Sequence, residues 1–486
     1  MTATSVDQKQ LFINNQWRAA ASGRTMEVIN PATEEVCATV ASADGDDLNA
    51  AVDAARAALN GPWGQMSARE RGRLVRRLGE RLMERADEIS RLETLHNGKP
   101  IMESRHIEIP AAAECFEYYG GWSDKVMGET IPVKGNYLTY TLREPLGVCA
   151  AIVPWNFPLL IAVWKIAPAL ACGNTMIVKP ASQTPLTALA LGEIAVEVGL
   201  PPGVLNVLTG PGAKLGQAIV EHPGIDKIAF TGDTGTGQGI MRGAAGTLKK
   251  ITLELGGKSP NIVLSDADIE SAIRGATIGI FYGKGEVCAA GSRLLVDKSI
   301  KHEFIDKLAA RTKKMVAGDP MDPKTRFGAL SSKKQMETVL RYVESAKKEG
   351  ATLVAGGERT DIGTGKGYFF QPTVFADVQP DMTISREEIF GPVLAAIEFA
   401  DLDEAIARAN DTPYGLAAGV WTRDIKKAHY VARKLQAGTV WINTYNIYDT
   451  AAPFGGYKQS GFGREMSAHA LEHYTQIKSV WVDLNM

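Results

Sequence analysis

Thr175-Met-Ile-Val-Lys179, Thr187 to Val198, Val204-Leu-Asn-Val-Leu208, Lys214 to Glu221 and Lys227-Ile-Ala-Phe-Thr231 follow one another within residues 147–256, short apolar runs alternating with segments of helical spacing. Continuous apolar runs suit strands covered on both faces, and a helix between two of them returns the chain to the same end of the sheet. The stretch therefore predicts a parallel α/β sheet. Two glycine-rich turns follow strands here, Gly210-Pro-Gly212-Ala-Lys-Leu-Gly216 and Gly232-Asp-Thr-Gly235-Thr-Gly237. Either suits a pyrophosphate at a helix N-terminus, where unpaired backbone N–H groups converge. Neither has the Gly-x-Gly-x-x-Gly spacing, and such turns also serve only to pack strand against helix.

A second alternating section runs from about residue 258 to 470. On the N-terminal side, residues 12–40 alternate around turn signals and read as short strands; Asp46 to Leu59 and Ser67 to Asn97 have helical spacing with charged outer faces. Gly128 to Glu144 reads as two strands about a Gly135-Asn136 turn, with little nearby sequence to pack against. Among 486 residues, 45% are hydrophobic and 53 basic side chains nearly balance 55 acidic ones, so a large core is expected and no basic field draws nucleic acid or anionic membrane. Cysteines at 37, 115, 149, 172 and 288 include no Cys-x-x-Cys, and no histidine stands at metal-ligand spacing, so neither disulfides nor a metal is expected. The N-terminal stretch lacks a secretory apolar region, and Lys165 with three prolines interrupts the most apolar tract, 147–172; a cytoplasmic protein without a membrane span is the expectation.

Three segments carry chemistry. Phe281-Tyr-Gly-Lys-Gly-Glu-Val-Cys288-Ala-Ala-Gly-Ser-Arg293 presents a candidate nucleophile, with glycines at 283, 285 and 291 that would let backbone and substrate approach the sulfur. Alone, such a cysteine also reads as a small buried hydrophobe. Leu253-Glu254-Leu-Gly-Gly-Lys258-Ser-Pro260 sets one carboxylate among apolar and glycine residues, where desolvation would make it a useful base. Ile152-Val-Pro-Trp155-Asn156-Phe157-Pro158 fixes an amide between prolines, where it can donate to an oxyanion.

Together these segments resemble the aldehyde dehydrogenase superfamily, and the resemblance extends through Phe12-Ile-Asn-Asn-Gln-Trp17, Asn30-Pro-Ala-Thr33, Lys179-Pro-Ala-Ser-Gln-Thr-Pro185, Phe230-Thr-Gly-Asp-Thr234, Glu388-Ile-Phe-Gly-Pro392 and Pro453-Phe-Gly-Gly-Tyr-Lys458. It implies a variant Rossmann cofactor domain (1–126 and 146–256), an α/β catalytic domain (257–470), and oligomerisation strands (127–145 and 471–486) that project to build a homodimer or a homotetramer. It further implies Cys288 as nucleophile, Asn156 as oxyanion donor, Glu254 as base, and Lys165 and Glu465 as groups relaying protons near that base. An aldehyde would become a thiohemiacetal, then a thioester, then a carboxylic acid, with hydride passing to NAD or NADP.

By the same resemblance, Ile152, Trp155, Lys179, Ser182, Gly212, Gly216, Gly232, Thr234, Gly237, Leu255, Glu388 and Phe390 would bind the cofactor. The family's serine after the first glycine of the second turn is Asp233 here, an anion that should repel a diphosphate unless it turns away to cap the helix. Ser182 stands where NAD-preferring members carry glutamate, so both cofactors are expected, with NADP at least tolerated. Glu286 and Lys284 replace the frequent glutamine and pull the Cys288 pKa in opposite directions. The substrate positions fall on Phe157, Trp164, Tyr282, Tyr448 and Phe454, an aromatic set without a cation, which favours an apolar aliphatic or aromatic aldehyde. Betaine aldehyde through cation–π contacts, or a semialdehyde, is the alternative. From other classes, a cofactor-independent cysteine esterase would leave Lys179 and Glu388 without a role, and a structural oligomer would have no use for the cysteine, glutamate and asparagine together. A phosphorylating or CoA-acylating relative would typically lack Glu254.

Overall fold

The computed structural model describes residues 7–486 and is built on two mostly parallel sheets. In the first, five parallel strands run Lys250–Glu254, Lys227–Thr231, Val148–Ile152, Thr175–Lys179 and Leu205–Val207 across the sheet. Antiparallel strands extend both edges: Leu11–Ile13 with Gln16–Arg18 on one side, and Gly461–Phe462 beside Lys250–Glu254 on the other. That last pairing brings a late segment of the chain alongside Glu254. The second sheet orders Thr352–Ala355, Thr373–Ala376, Val393–Phe399, Arg293–Asp297, Pro260–Val263, Ala417–Trp421 and Thr439–Ile442, antiparallel only at its first pair. The α/β expectation from 147–256 holds, with every residue of the three central strands buried.

Thr130–Ile131, Tyr137–Pro145 and Thr475–Asp483 form a separate antiparallel sheet in which the last strand pairs along its whole length. Residues 67–97 form two helices, Ala68–Glu84 and Ala86–Asn97, broken at Arg85; Ser67 and Glu70 close a reciprocal capping box on the first. Their sequel, the helix Ile109–Trp122, packs closely on Ala68–Glu84 because glycines meet there: a Cβ on Gly72 would lie 2.4 Å from the Gly120 carbonyl oxygen. This helix and Pro158–Ala171 have prolines at their first turns, where a missing N–H costs nothing. No helix among the described residues is long and apolar enough to cross a membrane, and none of their acidic, histidine or cysteine side chains cluster as a metal site would need.

Candidate active site

Ile152, Lys179 and Glu254 are the last residues of parallel strands, so their side chains meet at one end of the first sheet, where open α/β sheets hold their ligands. A cleft of about 800 Å³ lies there. Ile152, Trp155, Asn156, Lys179, Ser182, Gly212, Gly216, Gly232, Leu255, Cys288, Glu388 and Phe390 all line it. Thr234 and Gly237 do not. The Thr234 hydroxyl points to the Gln459 carbonyl oxygen at 3.5 Å, and a Cβ on Gly237 would sit 2.6 Å from Leu255 Cδ2, so that glycine lets the helix approach Leu255.

Cys288 is half-buried at the cleft. Burial, then the carboxylates of Glu388 and Glu254, push its thiol up to about 12. Lys284 and Glu286 face each other, their side chains forming a buried ion pair at 2.8 Å. The glycines of this loop make room for protein, not for substrate. A Cβ on Gly285 would lie 2.4 Å from Gly391 backbone, and one on Gly291 3.0 Å from the Tyr445 ring.

Glu254 is buried, and neither carboxyl oxygen has a hydrogen-bond partner. Burial first, then Glu465, holds it well above the usual carboxylate range, against the pull of Lys165 and Arg464. Lys165 and Glu465 are themselves a sealed ion pair at 2.5 Å. The two glycines after Glu254 explain their own presence: a Cβ on Gly256 would strike Glu388 Oε2 at 2.1 Å, and one on Gly257 the Cys288 carbonyl oxygen at 2.4 Å. Asn156 is gripped twice, its carbonyl oxygen accepting from Lys99 Nζ at 2.7 Å and its Nδ2 donating to the Glu286 carbonyl oxygen at 2.9 Å. The second Nδ2 proton remains free.

Elsewhere along the cleft, the Lys179 ammonium donates to its neighbour Pro180 at 2.9 Å, and burial lowers its pKa to about 8. The Ser182 hydroxyl donates to the Gly210 carbonyl oxygen at 3.1 Å. Asp233 caps the helix Thr234–Ala244, accepting from the Thr236 N–H at 2.9 Å and its hydroxyl at 2.6 Å, so the side chain does turn to the helix. Glu388 accepts from the Gly257 N–H at 3.0 Å and is pushed up to about 7 by burial. Phe390 lies edge-to-face on Trp155 at 5.2 Å between ring centres. Its φ of 57° is unusual for a large side chain, and Gln335 Nε2 secures it by donating to the Phe390 and Ile389 carbonyl oxygens at 2.6 and 3.1 Å. Gln335 and Lys334, both at the cleft, belong to the amphipathic helix Lys333–Lys348, whose surface-like pattern carries no signal of a site. The volume, the open backbone at Gly212 and Gly216, the Lys179 cation, the Glu388 carboxylate and the aromatic pair beside Cys288 together fit a dinucleotide.

The five aromatic positions lie outside the cleft lining. Phe157 stacks on Tyr282 at 6.1 Å; Trp164 meets Phe454 at 5.8 Å, and Phe454 meets Tyr448 at 5.5 Å. Cys288, Phe157, Trp164 and Tyr282 pack against one apolar cluster, which places the sulfur between the cleft and the aromatics. Trp441 and Tyr445 extend the set; Trp441 meets Tyr448 at 5.5 Å and the Tyr445 hydroxyl donates to the Ala289 carbonyl oxygen at 3.0 Å.

The profile described as "Aldehyde dehydrogenase family" matches residues 17–480. The "Putative aldehyde dehydrogenase DhaS" of Bacillus subtilis (strain 168) is 50% identical over 477 residues, 98% of this chain and 96% of the relative. The mitochondrial aldehyde dehydrogenase of Homo sapiens is 48% identical over 477 residues, 97% of this chain and 92% of the relative. Among solved structures, the NAD+ complex of aldehyde dehydrogenase from Bacillus cereus superposes with a TM-score of 0.97 at 51% identity, covering 99% of this chain and 97% of that one. With one profile spanning nearly all its length, and relatives of about half identity end to end, the chain belongs to the aldehyde dehydrogenase family.

Proposed function

We propose that this aldehyde dehydrogenase oxidises an apolar aliphatic or aromatic aldehyde to its carboxylic acid through a covalent Cys288 intermediate, using NAD and tolerating NADP. The observation that carries this reading is the placement of Cys288 between a dinucleotide-sized cleft and an aromatic cluster, with a partnerless buried Glu254 acting on its charge. The Cys288 thiol passes its proton to water in the cleft as its sulfur bonds to the carbonyl carbon, and the free Nδ2 proton of Asn156 with the Cys288 N–H holds the resulting oxyanion. NAD(P), when bound, supplies the hydride acceptor. Glu254 then takes a proton from the water that opens the thioester, and the Lys165–Glu465 pair carries that proton away. Phe157, Trp164, Tyr282, Tyr448 and Phe454 receive the apolar side chain of the aldehyde; Ile152, Trp155, Lys179, Ser182, Gly232, Leu255, Glu388 and Phe390 hold the cofactor. Absorbance of reduced cofactor with phenylacetaldehyde or hexanal tests the reading; activity only on betaine aldehyde or a semialdehyde would overturn its substrate half.

Cofactor choice has its own test. Replacing Ser182 by glutamate sets a carboxylate at the cleft wall, and two charges ~8 Å apart at an effective dielectric near 20 repel by about 2 kcal/mol, roughly thirtyfold in affinity. Ser182→Glu is expected to raise KM for NADP by that factor and leave NAD little changed. In the wild type, Lys179 loses its proton as pH rises through about 8, so NADP affinity should fall over that range more than NAD affinity does. Equal behaviour of the two cofactors in both measurements contradicts a 2′-phosphate contact at Lys179.

A homo-oligomer also follows from this reading. Thr475–Asp483 is an outer strand whose far edge is unpaired among the described residues, and Ile477 and Trp481 on it are 63% and 59% exposed. An open, apolar edge is a template for pairing with another copy. The double substitution Ile477→Glu, Trp481→Glu is expected to lower the molar mass in light scattering; an unchanged mass places the interface elsewhere.

A further inference from the structure

Behind Asn156 lies a group of charged side chains that the reaction does not use. Glu93, Lys99, Glu108, Lys284 and Glu286 are each 1% exposed or less. Lys99 is accounted for by Glu108 at 2.5 Å and the Asn156 carbonyl oxygen at 2.7 Å. Lys284 is the unexpected member. Its φ is 63°, beside Gly283 at 56°, and a long side chain in two consecutive left-handed residues is disfavoured unless something holds it there. What holds it is the far end of the side chain: the ammonium donates to the Asn97 carbonyl oxygen at 2.9 Å and Asn97 Oδ1 at 2.7 Å, and pairs with Glu286 at 2.8 Å.

Each partner of that ammonium grips one of two consecutive residues. Asn97 Nδ2 donates to the Trp155 carbonyl oxygen at 2.7 Å, and the Glu286 carbonyl oxygen accepts from Asn156 Nδ2 at 2.9 Å. Glu286 is anchored in turn by the Ser331 N–H on Oε1 at 2.9 Å. We propose that Lys284 is a positioning residue for the Asn156 amide, closing a ring of hydrogen bonds and one ion pair that fixes the Trp155-Asn156 segment relative to the Cys288 loop. The inference rests on the reading of Asn156 as oxyanion donor. Lys284 does not line the cleft, and its ammonium is paired with Glu286 and Asn97, so its influence passes through geometry.

Lys284→Met alone would strand the buried Glu286 carboxylate, so the informative variant is Lys284→Met with Glu286→Gln, which removes both charges and breaks the ring. Expected are a kcat lower by about tenfold or more, as small misplacements of catalytic groups produce, with NAD binding and the rate of Cys288 alkylation by iodoacetamide within about twofold of wild type. Alkylation forms no oxyanion and does not need Asn156. Asn97→Ala, which leaves the ion pair intact, should give the same selective loss. Asn156→Ala should lose roughly a hundredfold, and adding the double substitution to it should cost almost nothing more. Full kcat in the ring-broken variants, a parallel fall in alkylation, or an additive loss on Asn156→Ala overturns the inference. A wild type that is alkylated normally but turns over no aldehyde fails at the level of the reaction itself.

Discussion

Cys288→Ala is expected to abolish turnover, by roughly 10⁴-fold or more, while leaving NAD binding intact. The cleft supports this separation. Lys179, Ser182, Glu388 and Phe390 are held by Pro180, Gly210, Gly257 and Gln335, none of which depends on the sulfur. The smaller side chain leaves the backbone of the loop in place, because Gly257 packs on the Cys288 carbonyl oxygen and not on its side chain. Intrinsic fluorescence titration with NAD and steady-state absorbance on the same preparation read the two halves. Residual turnover above about 1% of wild type would move the nucleophile to another residue.

Glu254→Gln should produce a different phenotype: one equivalent of reduced cofactor per site in a burst, followed by a steady state slowed roughly 10²- to 10⁴-fold as the thioester waits for water. Rapid-mixing absorbance reads both phases, and a variant with no burst at all would put Glu254 in the first step. The pH dependence has a definite sign. Burial raises the Glu254 pKa, so wild-type activity should fall as pH drops through that raised value and the base becomes protonated. The amide introduced by Glu254→Gln cannot titrate, and the slow phase of that variant should lack the acid limb. Stability should move the other way. A carboxyl with a raised folded pKa keeps its proton where the unfolded chain has released it, so it favours folding only below the unfolded carboxylate's pKa and penalises folding as pH rises above it. Glu254→Gln removes the ionisable proton and with it the pH-dependent penalty, and a Tm higher by ~2–5 °C at pH 8 is expected by calorimetry.

The parallel sheet is legible in the sequence because its strands are continuous apolar runs, and the proposed nucleophile, base and amide stand out because each sits in a distinctive local setting. The helix Ile109–Trp122 is not: Pro110 near its start and the glycine pair at its end look like breaks, whereas the proline occupies the first turn and the glycines allow contact with a neighbour. Thr234 and Gly237 stand out by their motif, but their side-chain environment is set by Gln459 and Leu255, distant in sequence. Lys334 and Gln335 lie on an ordinary amphipathic helix, and Lys99 and Glu108 reveal themselves only when folding seals them from water. Pairings across many residues leave no local trace, which is why the support beneath the site is harder to read than the site.

The high pKa of Cys288 bears on how the protein ages. Peroxide and disulfides react with thiolate, and a thiol held near 12 by burial and two carboxylates is almost wholly protonated at neutral pH. The idle enzyme thus keeps its sulfur in a form that oxidants attack slowly, and the remaining cysteines are shielded in the same way, three of them fully buried. In the proposed cycle damage is confined to the brief interval after the thioester opens and before the released thiolate regains its proton, so oxidative wear should track turnover more than elapsed time.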